Sequence, residues 1–547
     1  MRGAALAWFL TSNAYVLDLE LDGMYAPLRF AINDDLNEIA RAWRQKHPSM
    51  TGGDCEEGDG RCVEDVLVRA MEARVDARHV IANAAIHCKL PGHAFPSEKL
   101  TDAIGTSEES YALEQAAGFC YCAADRNFVD NRTGGISAAS VAMDAAGLAL
   151  RLEPRRARAA RFGMLAGQDL FGVADATAYF ARRFAELKWP PDGSLPSLVL
   201  GGSLDLSVTL EPRVAWSPSV EESRSHVQMG WVHSTLPKFV ADQLRRGPTC
   251  HASFDVEKNI KDLDVLRDLS TELRRRHAID EDESKAYAYV AEHEGGRLDL
   301  PIDRLNASRP RVLGSAACIV DAPSVEGGAL AAIDVETTTR TFVEDGVAVV
   351  DGILKEETLT RLRDFVLGST VFTRAYAQGY LGAFLGDGFG ASAVVQQVAA
   401  ELRQTFPELL GDTALRQAWA YAYPRDGHPR GIDVHSDDAD VSVNIWITPN
   451  KANLDPSSGG LRIWNKKPPA DWMFEKANRD LDAIGSILQD EAASYVTIPY
   501  RFNRAVLLNG HRFHQTDALH FAPGLENHRI NLTFLFARRS EGTACRV

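Results

Sequence analysis

The 547-residue sequence lacks any apolar run approaching the roughly 18 residues of a membrane-spanning helix, so no transmembrane segment is predicted. It also lacks an excess of positive charge, because 59 lysines and arginines face 75 aspartates and glutamates, leaving a formal net charge of −16. A chain with that balance offers no general attraction for nucleic acid or for an anionic membrane surface. We therefore expect neither nucleic acid nor a membrane among its partners.

Cysteine is scarce as well, with eight in the whole chain, which is too few for a disulfide scaffold of this length. Cys55 and Cys62 flank an acidic loop and could pair with each other. Cys120 and Cys122 lie too close together, in a helical context, to bond each other easily. Two Cys-x-x-Cys pairs are missing, so a structural zinc site is not expected.

The first ten residues, Met1–Leu10, could pass for a very short signal peptide. Their apolar core is minimal, however, and the segment Tyr15–Leu21 that follows has the alternation of a β-strand. We therefore expect a cytoplasmic protein, with a short signal peptide as the alternative.

Length predicts a protein of more than one domain, because a chain of this size holds about three or four domains of average length. The helical and strand-like stretches along the chain predict the α+β class. Residues 1–60 and the connecting residues 192–335 give no assignment. Residues 61–191 are rich in alanine and predict helices. Residues 336–547 form the C-terminal domain, in which Phe342–Asp351 is predicted to be a strand with a turn.

The helical region contains two proline-terminated units. Helices are predicted over 137–152, 156–170 and 173–187, and Pro154 and Pro190 lie 36 residues apart. This spacing, with many small residues, resembles tetratricopeptide repeats. Repeats of that kind bind a peptide on a concave face, so the resemblance implies a peptide partner, whereas an ordinary helical domain is the alternative.

The stretch Gly431–Thr448 carries the chemistry. His435 and Asp437 lie two residues apart, and on an extended segment such residues point the same way, so that an imidazole and a carboxylate can meet one ion. Directly after them, apolar and polar residues alternate with the period of a half-buried strand. The apolar residues of that strand are Val441, Val443, Ile445 and Ile447.

A second group of candidates lies near the C-terminus. His514 follows the predicted strand Ala505–Leu508 and a glycine turn, 79 residues after His435, and Arg529 follows 15 residues later. Two histidines, one carboxylate and open coordination positions suit a non-haem Fe(II) site for oxygen chemistry. On the strand that begins at Arg529, this arginine shares one face with Asn531 and Thr533.

Together these residues resemble the 2-oxoglutarate- and Fe(II)-dependent oxygenases, the superfamily that includes the prolyl 4-hydroxylases. The resemblance covers about the last 200 residues. It implies a double-stranded β-helix, or jelly roll, with supporting helices, iron bound by His435, Asp437 and His514, and 2-oxoglutarate as cosubstrate. It implies that Arg529 binds the distal carboxylate of 2-oxoglutarate, and that Tyr421 or Tyr423 places a hydroxyl near it.

Alternatives compete at each position. His511, His520 and His528 are the other candidates for the distal histidine, with His511 as the fallback. Asp438 and Asp440 are weaker than Asp437, because they break the two-residue geometry or lie further along.

The sequence thus predicts a hydroxylase that couples decarboxylation of 2-oxoglutarate to hydroxylation of a C–H bond in an unknown substrate, a small molecule or a protein side chain. Two alternatives remain. One is a helical-repeat adaptor with a catalytically silent barrel, and the other is a zinc hydrolase, because two histidines and a carboxylate also suit zinc. The insertion 466–494 is either a substrate lid or a structural addition.

Overall fold

The computed structural model describes a defined part of the chain, and two compact units are found in it. The described residues are 8–11, 14–21, 24–31, 36–46, 64, 77–90, 93–104, 107–130, 132–188, 211–212, 235–246, 256–276, 318–376, 378–424, 431–472, 476, 478, 480–539 and 545–546. One unit comprises residues 1–187, 197–216 and 539–547, and the other comprises residues 188–196 and 217–538.

The first unit is mainly helical. Its helices are α1 (Leu36–Lys46), α2 (Ala77–His87), α3 (Ser97–Ala103), α4 (Glu109–Asp130), α5 (Arg132–Leu152), α6 (Ala157–Gly167) and α7 (Ala174–Lys188). Its strands are β1 (Trp8–Thr11), β2 (Ala14–Leu21) and β3 (Met24–Ala31), which form an antiparallel meander, and β4 (Glu211–Pro212), which pairs with the C-terminal β15 (Cys545–Arg546). The helices predicted over 137–152, 156–170 and 173–187 are thus present, whereas the tetratricopeptide resemblance stays a prediction.

Small residues let these helices pack closely. A Cβ atom on Gly118 of α4 would lie 2.8 Å from the ring of Phe162, and one on Gly163 of α6 would lie 2.5 Å from Phe180. The helix α5 is long and apolar enough to cross a membrane by composition, but 67% of its most apolar 18-residue segment is buried inside the protein. A core helix of a globular domain passes the same test, so this is weak evidence for a membrane segment.

Disulfides occur in the chain, which the cysteine count did not predict. Cys88, just after α2, is bonded to Cys120 of α4, and Cys122 and Cys318 are disulfide-bonded as well. The bond joins α2 to the centre of the helical core across 32 residues of chain. The proposed pair of Cys55 and Cys62 lies outside the described residues.

The second unit combines two antiparallel sheets with helices. The helices are α8 (Thr235–Arg245), α9 (Val256–Arg276), α10 (Val335–Asp345), α11 (Glu356–Gly368), α12 (Ala393–Thr405), α13 (Pro407–Leu410) and α14 (Leu481–Leu488). The strands are β5 (Val347–Asp351), β6 (Arg374–Ala375), β7 (Leu381–Phe384), β8 (Thr413–Tyr423), β9 (Val441–Trp446), β10 (Leu461–Trp464), β11 (Tyr495–Ile498), β12 (Arg504–Leu508), β13 (His514–Thr516) and β14 (Arg529–Arg538). This unit therefore also includes α8 and α9, which lie within residues 192–335.

The large sheet has the strand order β5-β12-β9-β14-β8-β7-β6, and the small sheet has the order β11-β10-β13. All neighbouring strands in both sheets are antiparallel. One face of the large sheet packs on a core to which α8, α11 and α12 contribute. Leu359, Leu362 and Val366 of α11 are buried in this core, as the helical pattern predicts.

Two local predictions need correction. Phe342–Asp345 belongs to α10 rather than to a strand, because the side chain of Asp334 accepts a hydrogen bond from the amide of Thr337 and starts a helix that ends at Gly346, with φ of 67°. The strand therefore begins at Val347. The strand β9 is buried on both faces, not on one, because its polar side contributes to an internal cavity.

Candidate metal centre

Three side chains in the second unit can meet one ion. One ligand atom from each of His435, Asp437 and His514 lies within 4.8 Å of the others. The Nε2 atom of His435 lies 3.8 Å from one carboxylate oxygen of Asp437, and the Nε2 atom of His514 lies 3.5 Å from the other. The structure therefore brings together the ligand set predicted from the sequence, although the three residues lie far apart in the chain.

Backbone pairing sets this arrangement. The amide of His435 donates to the carbonyl of His514 at 3.0 Å, and the amide of His514 donates to the carbonyl of His435 at 2.8 Å, so the loop before β9 adds a bridge beside β13. The amide of Asp437 donates to the carbonyl of Gly510 at 2.8 Å. A Cβ atom on Gly510 would lie 2.4 Å from the carbonyl of Ala439, so this close approach requires glycine.

The two imidazoles are held in the tautomer that metal binding needs. Nδ1 of His435 lies 2.8 Å from the carbonyl of Asp433, and Nδ1 of His514 lies 2.9 Å from the carbonyl of Arg512. A carbonyl only accepts, so each Nδ1 carries the hydrogen and each Nε2 presents its lone pair towards Asp437. Ligating histidines are oriented in this way by partners outside the coordination sphere.

The electrostatics also favour a cation here. Burial, followed by the nearby His514, lowers the pKa of His435 to about 4, so its imidazole is neutral at pH 7. The hydroxyl of Ser442 on β9 donates to Asp437 at 2.6 Å and fixes the carboxylate. The centre thus offers two imidazole nitrogens and one carboxylate, the set that suits Fe(II) in oxygenases.

Arg529, the first residue of β14, lies in the same cavity and is only 1% exposed. Its Nε donates to the carbonyl of Gly459 at 2.7 Å, and its guanidinium lies 4.8 Å from the ring centre of Tyr423 and 5.7 Å from that of Trp446. One nitrogen, Nη1, has no hydrogen-bond partner. Among the described residues, no carboxylate forms a salt bridge with this arginine, so the buried charge is incomplete without a ligand.

The cavity has a volume of about 480 Å³ and is lined by both sheets. Arg529, Asn531 and Thr533 line it, whereas Ile530, Leu532 and Phe534 lie in the core, so the predicted polar face of β14 does point inward. Asn531, Thr533 and Asn444 hydrogen-bond one another at 2.8–2.9 Å on the cavity wall.

Both candidate tyrosines line the cavity, but they differ in their surroundings. Tyr423 pairs directly with Arg529 across β8 and β14, and its hydroxyl lies 3.5 Å from that of Thr516. Tyr421 pairs with Asn531 and contacts the rings of Tyr376 and Tyr380. Tyr423 is therefore the tyrosine beside the arginine, and Tyr421 belongs to an aromatic cluster.

The other histidines occupy different places. His511 is half exposed and lies near Asp440, 3.9 Å from its carboxylate. His528 is buried, stacks on Phe239 with ring centres 5.6 Å apart, and has its pKa lowered to about 4 by burial and by Lys238. Neither lies within the ligand group of His435, Asp437 and His514.

Sequence reasoning missed the residues that support the site. Ser442, Trp446 and Thr516 each touch a predicted site residue, and the Gly459–Gly460 pair supplies carbonyls to Arg529. Ser442 and Trp446 could have been found, since the alternation of β9 places them with Asn444 on the polar face. Gly459 and Gly460 lie far from Arg529 in sequence and carry no comparable signal.

No family model matches the chain, and no curated protein matches it. Similar solved structures include the non-heme α-ketoglutarate-dependent carbocyclase SnoK from nogalamycin biosynthesis, with 10% identity and a TM-score of 0.27 over 40% of this chain and 91% of that one. A prolyl-4-hydroxylase from Pseudomonas putida shows 16% identity and a TM-score of 0.22 over 39% and 97%. IDO from Bacillus thuringiensis shows 12% identity and a TM-score of 0.25, over 39% of this chain and 98% of that one. Similarity at this level transfers neither substrate nor reaction.

The ligand group defines the class to which the second unit is similar. A His-x-Asp motif, a distal histidine and a buried arginine with one open donor in the same cavity resemble the Fe(II)- and 2-oxoglutarate-dependent oxygenases, as the sequence motif predicts. The residues fit both groups. Two imidazole nitrogens and a carboxylate suit Fe(II), and the open Nη1 of Arg529 suits a carboxylate of 2-oxoglutarate.

Proposed function

We propose that the chain is an oxygenase that hydroxylates a C–H bond of its substrate, using Fe(II) held by His435, Asp437 and His514 in a double-stranded β-helix. One dioxygen and one 2-oxoglutarate are consumed for each substrate. The products are hydroxylated substrate, succinate and carbon dioxide, so one oxygen atom enters the substrate and the other enters succinate. The observation that carries this proposal is the buried Arg529 with an open donor, in the same cavity as the three ligands.

The protein contributes binding and orientation. When bound, iron supplies the activation of dioxygen that organic side chains cannot provide. Arg529 offers its guanidinium to the distal carboxylate of 2-oxoglutarate, and the carbonyls of Gly459 and Gly460 hold that guanidinium in place. Tyr423 and Trp446 flank it and exclude water, which strengthens a charge-assisted hydrogen bond.

The glycine pair is a strict requirement of this arrangement. Gly459 has φ of 81°, and a Cβ atom on Gly460 would lie 1.8 Å from the carbonyl of Ile498. Side chains at either position would therefore displace the two carbonyls that orient Arg529.

The two alternatives differ from this proposal at Arg529. A zinc hydrolase uses the same ligands but gives no role to a buried arginine without a carboxylate partner. A silent adaptor has no need of histidines held in the metal-binding tautomer. The peptide partner and the cytoplasmic location expected from the sequence remain predictions.

The test is turnover of 2-oxoglutarate by the purified full chain, reconstituted without oxygen with Fe(II) or with Zn(II) and then exposed to air. We expect Fe(II) to support slow succinate formation that requires 2-oxoglutarate, even without substrate, and Zn(II) to support none. Two results would contradict the proposal. One is more succinate formation with Zn(II) than with Fe(II), and the other is no binding of 2-oxoglutarate in the presence of either metal.

A further inference from the structure

The cavity extends well beyond the arginine. Along the antiparallel pair of β8 and β14, Tyr423 lies opposite Arg529, Tyr421 opposite Asn531, and Trp419 opposite Thr533. Trp419 is thus about 13 Å from Tyr423 along the strand, at about 3.3 Å per residue. A five-carbon diacid bound at Arg529 does not reach it, so this outer part of the cavity remains for substrate.

Aromatic rings form the wall of the outer part. Tyr376 and Tyr380 stack with ring centres 4.5 Å apart and planes inclined by 11°. Both meet the ring of Tyr421 nearly edge-on, at 5.9 and 5.0 Å, and Trp419 lies 5.7 Å from Tyr421. Burial raises the pKa of Tyr376 to about 12 and raises that of Tyr421 well above its usual value, so these two rings are uncharged at neutral pH.

The only charged side chain on this part of the wall, among the described lining residues, is Asp433. Its carboxylate is exposed, and among the described residues its one hydrogen-bond donor is the side-chain amide of Gln378, at 3.5 Å. The remaining lining charges are the metal ligands and Arg529. Iron and Arg529 together offset Asp437 and the two carboxylates of 2-oxoglutarate, so among the described lining residues no charge remains to compensate Asp433.

We propose that this outer part of the cavity takes the cationic group of a substrate, an amine or quaternary ammonium, between the aromatic wall of Tyr376, Tyr380, Trp419 and Tyr421 and the carboxylate of Asp433. The inference rests on the proposed function and names the substrate class for it. Aromatic faces attract cations, most strongly when water is excluded, and a carboxylate at the rim adds a direct charge contact.

The same cluster already binds one cation in this manner. Beside the wall, the guanidinium of Arg374 lies 4.4 Å from the ring centre of Phe384, which itself contacts Tyr421. That guanidinium is paired with the buried carboxylate of Asp387 at 3.0 Å. A ring and a carboxylate together satisfy a cation there, and Trp419 with Asp433 offers the same two elements to a ligand.

Matched probes test the inference without a known substrate. Choline, its neutral isostere 3,3-dimethylbutan-1-ol and the anion 3,3-dimethylbutanoate have nearly the same shape and differ in charge. Their binding is measured calorimetrically on the full chain with Fe(II) and 2-oxoglutarate, without oxygen. We expect choline to bind about tenfold more tightly than the neutral alcohol, and the anion to bind least.

Substitutions then locate the site. Asp433→Asn and Trp419→Leu should each reduce the choline-to-alcohol ratio by about threefold or more, whereas Asp438→Asn, the same charge change at an exposed aspartate of the same loop, should leave it unchanged. Equal binding of the three probes to the wild type, or a ratio that none of the substitutions alters, overturns the inference. Iron and 2-oxoglutarate affinities of the wild type are measured in parallel, so that a failure of the proposed function is seen separately.

Discussion

Two buried arginines, Arg539 in the helical unit and Arg529 in the sheet unit, differ in whether carboxylates compensate their charge. Arg539 of the helical unit is bonded to Asp125 at 2.7 Å and to both oxygens of Asp169, and it lies 4.4 Å from the ring centre of Phe128. Arg529 of the sheet unit has aromatic rings and two carbonyls around it, but no carboxylate partner among the described residues. Burial costs both guanidiniums their hydration, and among the described residues Arg539 forms salt bridges whereas Arg529 forms none.

The difference separates structure from function. A buried charge with internal partners holds elements together, because removing either partner leaves the other uncompensated. A buried charge without one costs stability in the free protein, and this cost is recovered when an anion binds. The same contrast applies to Asp437, whose nearest chargeable neighbours are His435, which burial keeps neutral, and His514, the other candidate ligand.

The largest expected effect comes from removing the carboxylate of the metal centre. Asp437→Ala should lower the affinity for Fe(II) more than about a hundredfold, beyond the range seen for residues outside the coordination sphere. The metal-free protein should keep its stability, because an incompletely compensated charge has been removed. Iron titration measures the Fe(II) affinity, and urea unfolding measures the stability of the metal-free variant. A variant that loses stability but keeps its Fe(II) affinity would show that Asp437 stabilises the fold and does not bind the metal.

Arg539→Ala should have the opposite pattern. It removes the guanidinium that pairs with the buried carboxylates of Asp125 and Asp169, so we expect a loss of about 3–5 kcal/mol in the stability of the helical unit. Urea unfolding of the full chain gives the change. The matched control combines Arg539→Met with Asp125→Asn and Asp169→Asn, which should recover part of the loss. A triple variant no more stable than Arg539→Ala would show that packing on Phe128, not charge, is what the arginine provides.

Arg529→Leu should leave Fe(II) affinity near normal and weaken 2-oxoglutarate. Losing one member of a buried charge-assisted pair costs about 2–5 kcal/mol, or roughly thirtyfold and more in affinity. Arg529→Lys should lose less, because the charge remains while the two-pronged geometry does not. Calorimetry on the Fe(II) protein measures these affinities, with Arg363→Leu as the control, since Arg363 donates to the carbonyl of Ile447 and does not line the cavity. If all variants bind 2-oxoglutarate with equal affinity, then Arg529 does not bind it.

His528 is a third case, a buried imidazole that has no carboxylate partner among the described residues and is neutral at pH 7. Its folded-state pKa of about 4 lies below the unfolded value of 6.5, so the unfolded chain binds the proton first as the pH falls. Its contribution to stability is therefore complete above pH 6.5 and is lost progressively down to about pH 4. Between pH 7 and pH 4.5, His528→Phe, which keeps a ring against Phe239, should lose about 2–3 kcal/mol less than the wild type.

Urea unfolding at several pH values measures this difference. His511→Phe, at a half-exposed histidine of the same unit, is the control and should follow the wild type. Parallel pH dependences of the wild type and of His528→Phe would show that the imidazole of His528 is hydrated in the folded protein.

Much of the sheet unit could be predicted from the sequence, because local patterns determine it. The alternation in β9, the helix α11 and the inward polar face of β14 all follow from residue periodicity. The limits of α10 could not, since its capping by Asp334 competes with a β-like run of residues. The disulfide between Cys88 and Cys120 and the approach of Gly459 to Arg529 are contacts between segments distant in the chain, and no local pattern encodes them.

Asp433 orients a ligand of the metal centre through its backbone, since its carbonyl, not its carboxylate, fixes the tautomer of His435. Any residue at position 433 can supply that carbonyl. A change of that side chain therefore keeps the carbonyl that orients His435, and the carbonyl of Arg512 orients His514 in the same way. Selection for a new substrate could alter the rim of the cavity one residue at a time while the chemistry at its centre continued unchanged.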